Sequence, residues 1–178
     1  MKYTAYAETK VFIMTPAYPT LHMLCGKIAS GKSTLAAKLA AAEKTVLISE
    51  DDWLGTLHGA EMSTVADYVH RSGNLRKIMG PHITALLKAG VSVVLDFPAN
   101  TVENRNWMRS ITKNSGAAHT LHVLEAPDDL CLKRLKARNA AGEHAFAATE
   151  EQFHRITKHY APPTAEEGFK VQIHKVDA

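Results

Sequence analysis

The chain has 178 residues, 46% of them hydrophobic, with a formal net charge of +3 and a pI near 8.8. No Pro/Gly/Ser-rich linker, internal repeat or low-complexity tract divides it, so one compact domain with a sizeable core is expected. The charge suits an anionic ligand without demanding a nucleic acid, and the apolar stretch "VFIMTPAY" is too short and interrupted to cross a membrane or form a clear signal sequence.

Residues 1–20 read as an N-terminal extension, and residues 21–178 as the domain. Leu21 to Cys25 is a short apolar run that predicts the first strand, and Lys32 to Ala42, rich in Ala, Leu and Lys, predicts a helix. "TVLIS" (Thr45 to Ser49) is a second strand. Thr64 to Met79 and Pro81 to Lys88 read as helical, with a break or kink expected at Gly80-Pro81. "VSVVLD" (Val91 to Asp96) is a buried strand, followed by a helix from Val102 to Thr112, a strand from Thr120 to Leu124 and a helix from Asp128 to Arg138. The pattern then breaks, resumes as a helix over Glu150 to Lys158, and ends in the strand-like "FKVQIH" (Phe169 to His174). Five apolar strands alternating with helices predict an α/β fold with a parallel sheet covered on both faces, a three-layer sandwich.

"GKIASGKST" (Gly26 to Thr34) has the spacing of a phosphate-binding loop, between a strand and a helix. Gly26 and Gly31 allow a tight turn around phosphates. The amides of Ala29, Ser30, Gly31, Lys32 and Ser33 can point at anionic oxygens, and the helix beginning at Lys32 adds its positive end. Thr34 completes the set expected to contact the nucleotide. Lys32 is expected to reach the β- and γ-phosphates of ATP, and the Ser33 hydroxyl to ligate Mg²⁺.

Glu50, Asp51 and Asp52 crowd the end of the second strand, on the sheet edge that carries the loop. One of them is a natural group to orient a hydroxyl or take its proton. Asp51 is the choice, with Asp52 as the alternative, while Glu50 is expected to point elsewhere. Asp96, closing "VSVVLD", is placed to hold Mg²⁺ through water or to bond Ser33. Pro98 and Asn100 build a turn after it, with Asn100 or Thr101 able to cap the next helix. Arg134 and Arg138 share a helical face before a glycine-containing loop, as a phosphate-covering lid over residues 134–150 requires. Arg105 and Arg109 repeat that spacing as candidate substrate anchors, and Trp53 as a pocket wall. The histidines form no metal pattern, and Cys25 and Cys131 form no disulfide framework, which permits a cytoplasmic location.

These residues carry a resemblance. "GKIASGKST", "EDDW", "VVLDFPAN", "CLKRLKARN", "EEQFHRI" and "PPTAEEGF" together resemble small P-loop kinases related to polynucleotide 5′-hydroxyl kinase, zeta-toxin-like kinases and chloramphenicol phosphotransferase. The resemblance implies a P-loop NTPase sheet in the order 2-3-1-4-5 with a helical lid. It also implies Asp51 at the hydroxyl-activating position and Arg134 and Arg138 as lid arginines. Glu50 stands where polynucleotide kinases carry Arg, and "WLGTLHG" lacks their 3′-phosphate-gripping arginine. A nucleic-acid acceptor is therefore possible but not favoured, and a sugar nucleotide and another small molecule with a hydroxyl stay open. The expected activity is an ATP-dependent transfer of the γ-phosphoryl to that hydroxyl. A nucleotide-dependent hydrolase or switch, and a nonenzymatic adaptor, are the competing classes.

Overall fold

The computed structural model describes residues 18–142 and 147–177. Residues 1–17 of the expected extension and 143–146 of the expected lid lie outside the described residues. Five strands, β1 (Thr20–Cys25), β2 (Thr45–Ser49), β3 (Ser92–Pro98), β4 (Ala118–Glu125) and β5 (Val171–Lys175), form one sheet in the order β2-β3-β1-β4-β5. Every pairing is parallel. The helices are α1 (Lys32–Ala40), α2 (Glu50–His58), α3 (Val65–Lys88), α4 (Val102–Ser115), α5 (Asp128–Ala141) and α6 (Glu150–Thr157).

Alternation along β1 explains the layers. Leu21, Met23 and Cys25 face a core completed by Leu75, Met79, Ile83 and Leu87 of α3 and by Met108 and Ile111 of α4. Leu24 faces the opposite side, where it packs with Ala36 of α1, Val94 and Leu124. A third cluster joins Cys131 and Leu135 of α5 to Phe153 of α6 and Ala126. The chain thus leaves β1 for one face through α1, and leaves β3, its neighbour, for the other through α4. Strands that diverge in this way open a crevice at their carboxyl ends.

The pairing of β1 with β3 is irregular. Met23 stands opposite Leu95, but Leu24 stands opposite Pro98, so Asp96 and Phe97 fall in a bulge. A bulge re-aims side chains at a sheet edge. On its other side Asp96 pairs with Ser49 of β2, and that serine caps α2 by accepting from the Asp52 amide at 3.2 Å. The sheet edge therefore brings Asp96 beside the first turn of α2.

The expected break at Gly80-Pro81 is corrected: α3 runs unbroken through Pro81. Its buried face, Leu75, Met79, Ile83 and Leu87, continues at four-residue spacing across the proline, and that burial outweighs one lost helical bond. The Gly80 carbonyl also accepts from the Thr84 hydroxyl at 2.8 Å. The acids after β2, read as a strand end, begin a helix of their own. No helix among the described residues is long and apolar enough to cross a membrane.

Candidate active site

The loop between β1 and α1 is shaped by its own sequence. Ala29 and Gly31 have φ of 58° and 102°, the left-handed region that favours glycine at the second of them. A Cβ added at Gly26 would lie 2.7 Å from Ser30 Oγ and 3.1 Å from the Leu124 carbonyl, so the tight path excludes any side chain there. Asn100 fixes the loop's entry: its Oδ1 accepts from the Gly26 amide and its Nδ2 donates to the Gly26 carbonyl, both at 2.9 Å. Lys32 Nζ donates to the Gly26 and Lys27 carbonyls at 2.8 Å each, arching over the loop. Burial pushes the Lys32 ammonium down from its ordinary value, and the carboxylates of Asp96 and Asp51 pull it back.

Helix α1 starts with no side-chain cap and no acid in its first turn. Its first amides are open to an anion, and its dipole favours one. The buried Ser30 Oγ has no hydrogen-bond partner among the described residues, and the same is true of Arg138 Nε.

The three acids divide. Glu50 is fully buried, where it accepts from Ser72 Oγ and Arg76 Nε and from the Tyr68 hydroxyl at 2.9 Å. Asp51 lies 3.3 Å from the same hydroxyl and opens to the loop. Burial among carboxylates holds the Tyr68 hydroxyl well above its ordinary pKa, so it remains a donor. Asp52 is exposed on the outside of the turn, and Trp53 beside it is 42% exposed.

One cavity of about 1010 Å³ gathers the loop residues Ala29 to Thr34 with Asp51, Asp96, Arg134 and Arg138. Arg134 overhangs Gly31, with Nη1 4.0 Å from where a Cβ would stand. Burial lowers the Arg138 guanidinium pKa, and the Asp51 carboxylate, which lines the same cavity, opposes that shift.

Asp52, Trp53, Arg105 and Arg109 do not line this cavity. Arg105 is fully buried against Glu167, and the Arg109 guanidinium lies 4.3 Å from the Phe169 ring centroid. Both positions anchor the chain after α6. Tyr68 and His174 were missed from the sequence, and Asn100, read there as a turn residue and possible cap, leaves the α4 cap to Thr101 and binds Gly26 instead. Tyr68 and Asn100 act through partners far along the chain, and His174 lines the cavity from the last strand.

The cradle fits a nucleotide triphosphate with its cation. The Gly26 position leaves no room for a side chain, the first amides of α1 are uncapped by any side chain, and Ser30 and Arg138, each with a buried polar atom that has no partner among the described residues, line the cavity. Ser33 and Asp96 line the cavity, where they could hold a cation.

This sheet order and this loop define a P-loop NTPase sandwich. The chain belongs to the AAA domain family, whose profile matches residues 21–163. No curated protein matches the chain. Among solved structures it is similar to a candidate kinase from Chloroflexus aurantiacus, with 19% identity, a TM-score of 0.70 and coverage of 89% of this chain and 85% of that one. It is also similar to the APS kinase CysC of Mycobacterium tuberculosis, with 21% identity, a TM-score of 0.60 and coverage of 92% and 91%. A gluconokinase from Sinorhizobium meliloti matches at 15% identity and a TM-score of 0.59, with coverage of 90% and 85%. At these identities the likeness is one of fold.

Proposed function

We propose that the protein is an ATP-dependent phosphotransferase whose acceptor is the hydroxyl of a small molecule. The observation that carries this reading is the cavity that gathers Asp51, Arg134 and Arg138 with the phosphate loop. A switch or hydrolase needs a group to position water, whereas a carboxylate opposite a lid-type arginine suits a hydroxyl entering in line.

Bound at the loop, ATP with Mg²⁺ supplies the phosphoryl group, a leaving diphosphate and a cation against their charge. Lys32 and the α1 amides hold the phosphates. Ser33 and Asp96 hold the cation. Asp51 accepts a hydrogen bond from the acceptor hydroxyl and takes its proton late, as the new P–O bond forms and the bond to the diphosphate breaks. Tyr68 restrains Asp51 by its hydroxyl. Arg134 and Arg138 neutralise charge on the group in transit.

The experiment is Asp51→Asn beside Asp52→Asn, with labelled ATP and a panel of sugars, nucleosides, aminoglycosides and oligonucleotides. Asp51→Asn is expected to bind ATP normally, or slightly more tightly through lost repulsion, and to lose transfer by about 10²–10⁴. Asp52→Asn, at an exposed position, is expected to retain most of it. Full transfer by Asp51→Asn would sink the assignment.

A further inference from the structure

The cavity has two unlike halves. Its cations, Lys32, Lys38, Arg134 and Arg138, all come from α1 and α5. The other half is built by α2, the α2–α3 connection and the start of α3, over the β2–β3 side of the sheet. It presents Asp51, Met62, Thr64, Val65 and Tyr68, and no lysine or arginine among the described residues that line it.

The polar atoms of this second half are already engaged. The Thr64 hydroxyl donates to Asp67 Oδ2 at 2.7 Å and accepts from the Asp67 amide at 3.1 Å, and the Ser63 and Thr64 amides donate to the same carboxylate oxygen. These bonds, that from the Thr64 hydroxyl first, hold the Asp67 carboxyl below its ordinary range. Arg76 of α3 is committed to Glu50 at 3.1 Å, and Arg71 to Glu61 at 2.8 Å. What remains facing the cavity is the apolar surface of Met62 and Val65, beside carboxylates. The volume of about 1010 Å³ stands at the top of the range for a single-ligand pocket, which leaves room for an acceptor beside a nucleotide.

We infer that the acceptor is an uncharged alcohol with an apolar body, and that phosphorylated or carboxylated acceptors are excluded by the carboxylates and the missing cation of the α2–α3 half. This deepens the kinase reading and rests on it. An anionic acceptor entering beside Asp51 would meet like charge on a side of the cavity where no lysine or arginine of the described lining stands, whereas an aromatic or aliphatic body removes Met62 and Val65 from water. The APS bound in the similar APS kinase structure is anionic, so the inference separates this chain from that one.

The test uses matched pairs of acceptors with the full chain: 3-phenylpropane-1,2-diol against 3-phenyllactate, and thymidine against thymidine 3′-monophosphate. Transfer from labelled ATP gives kcat/KM, and calorimetry on protein saturated with a nonhydrolysable ATP analogue gives Kd without turnover. The neutral member of each pair is expected to be favoured by about ten-fold or more in both measures. Val65→Arg, which adds a cation at a partly exposed position, is expected to cut that preference by about ten-fold and leave the analogue's Kd unchanged. Equal or better use of the anionic members by the unmodified protein, or a preference unmoved by Val65→Arg, overturns the inference while phosphoryl transfer still stands. Transfer to no member, with none binding the analogue-loaded protein, overturns the kinase reading and the inference together.

Discussion

Arg105, wholly buried at the start of α4, grips Glu167 with two bonds of 2.7 Å from Nε and Nη2. Its Nη1 donates to the Ala99 carbonyl at 3.0 Å and the Ala161 carbonyl at 2.8 Å, so one guanidinium ties the segment after α6 to the end of β3. Removing one partner leaves the other charge buried and alone. Arg105→Ala and Glu167→Ala are each expected to cost about 3–5 kcal/mol of stability. Urea unfolding of both variants checks this. A loss below about 1 kcal/mol would show that the pair is dispensable.

Lys32 is the loop's own cation, and its two bonds to loop carbonyls make it structural as well as electrostatic. Lys32→Ala is expected to weaken ATP·Mg²⁺ binding sharply while the domain stays folded, measured by calorimetry with circular dichroism as the control. Unchanged affinity would count against the loop as the nucleotide site.

Arg138 lines the cavity with Asp51, its Nε unpartnered among the described residues. Arg138→Ala is expected to lower kcat more than nucleotide affinity, because a charge aimed at the transferring group acts most in the transition state. Steady-state kinetics beside equilibrium binding separate the two. A loss confined to affinity would place Arg138 among the ground-state contacts.

Three histidines form a row across the sheet: His22 Nδ1 lies 3.1 Å from His122 Nε2, and His122 Nδ1 lies 2.9 Å from His174 Nε2. Burial first, then the neighbouring histidines, push the His122 pKa down from 6.5 to about 4. A group with its pKa lowered on folding contributes stability above its unfolded value and loses it as the unfolded chain takes up the proton. Stability is therefore expected to fall between about pH 6.5 and pH 4, by on the order of 2 kcal/mol from this residue. His122→Phe is expected to flatten that part of the profile. Chemical denaturation across the pH range decides, and an unchanged slope would remove His122 as the cause.

The sheet, its helices and the phosphate loop were legible in the sequence because each rests on local signals: short continuous apolar runs, strong helix formers, and glycines at fixed spacing. Asp51, Arg134 and Arg138 were legible for a related reason, since strand ends and a four-residue helical spacing put them on known edges. Arg105 and Arg109 share that spacing with the lid pair, and local pattern has no means of telling a buried anchor from a ligand contact. The acceptor of Arg105's charge, Glu167, lies 62 residues on. The unbroken α3 shows the opposite failure, a strong local breaker overruled by a buried face. Tyr68, and the hold of Asn100 on Gly26, were hidden because the partners, Asp51 and Gly26, are 17 and 74 residues away.

Asn100 holds both backbone groups of Gly26, its own carbonyl accepts from the Ala161 amide at 2.9 Å, and Arg105 binds the adjacent Ala99. The entry to the phosphate loop is thus a welded joint between three distant pieces of chain, shaped when the protein folds. Its ordering entropy is met before any ligand arrives, so an incoming phosphate chain finds a finished cradle on that side. Whatever must still rearrange is left to the opposite wall, where Arg134 and Arg138 project from a helix that this joint does not touch.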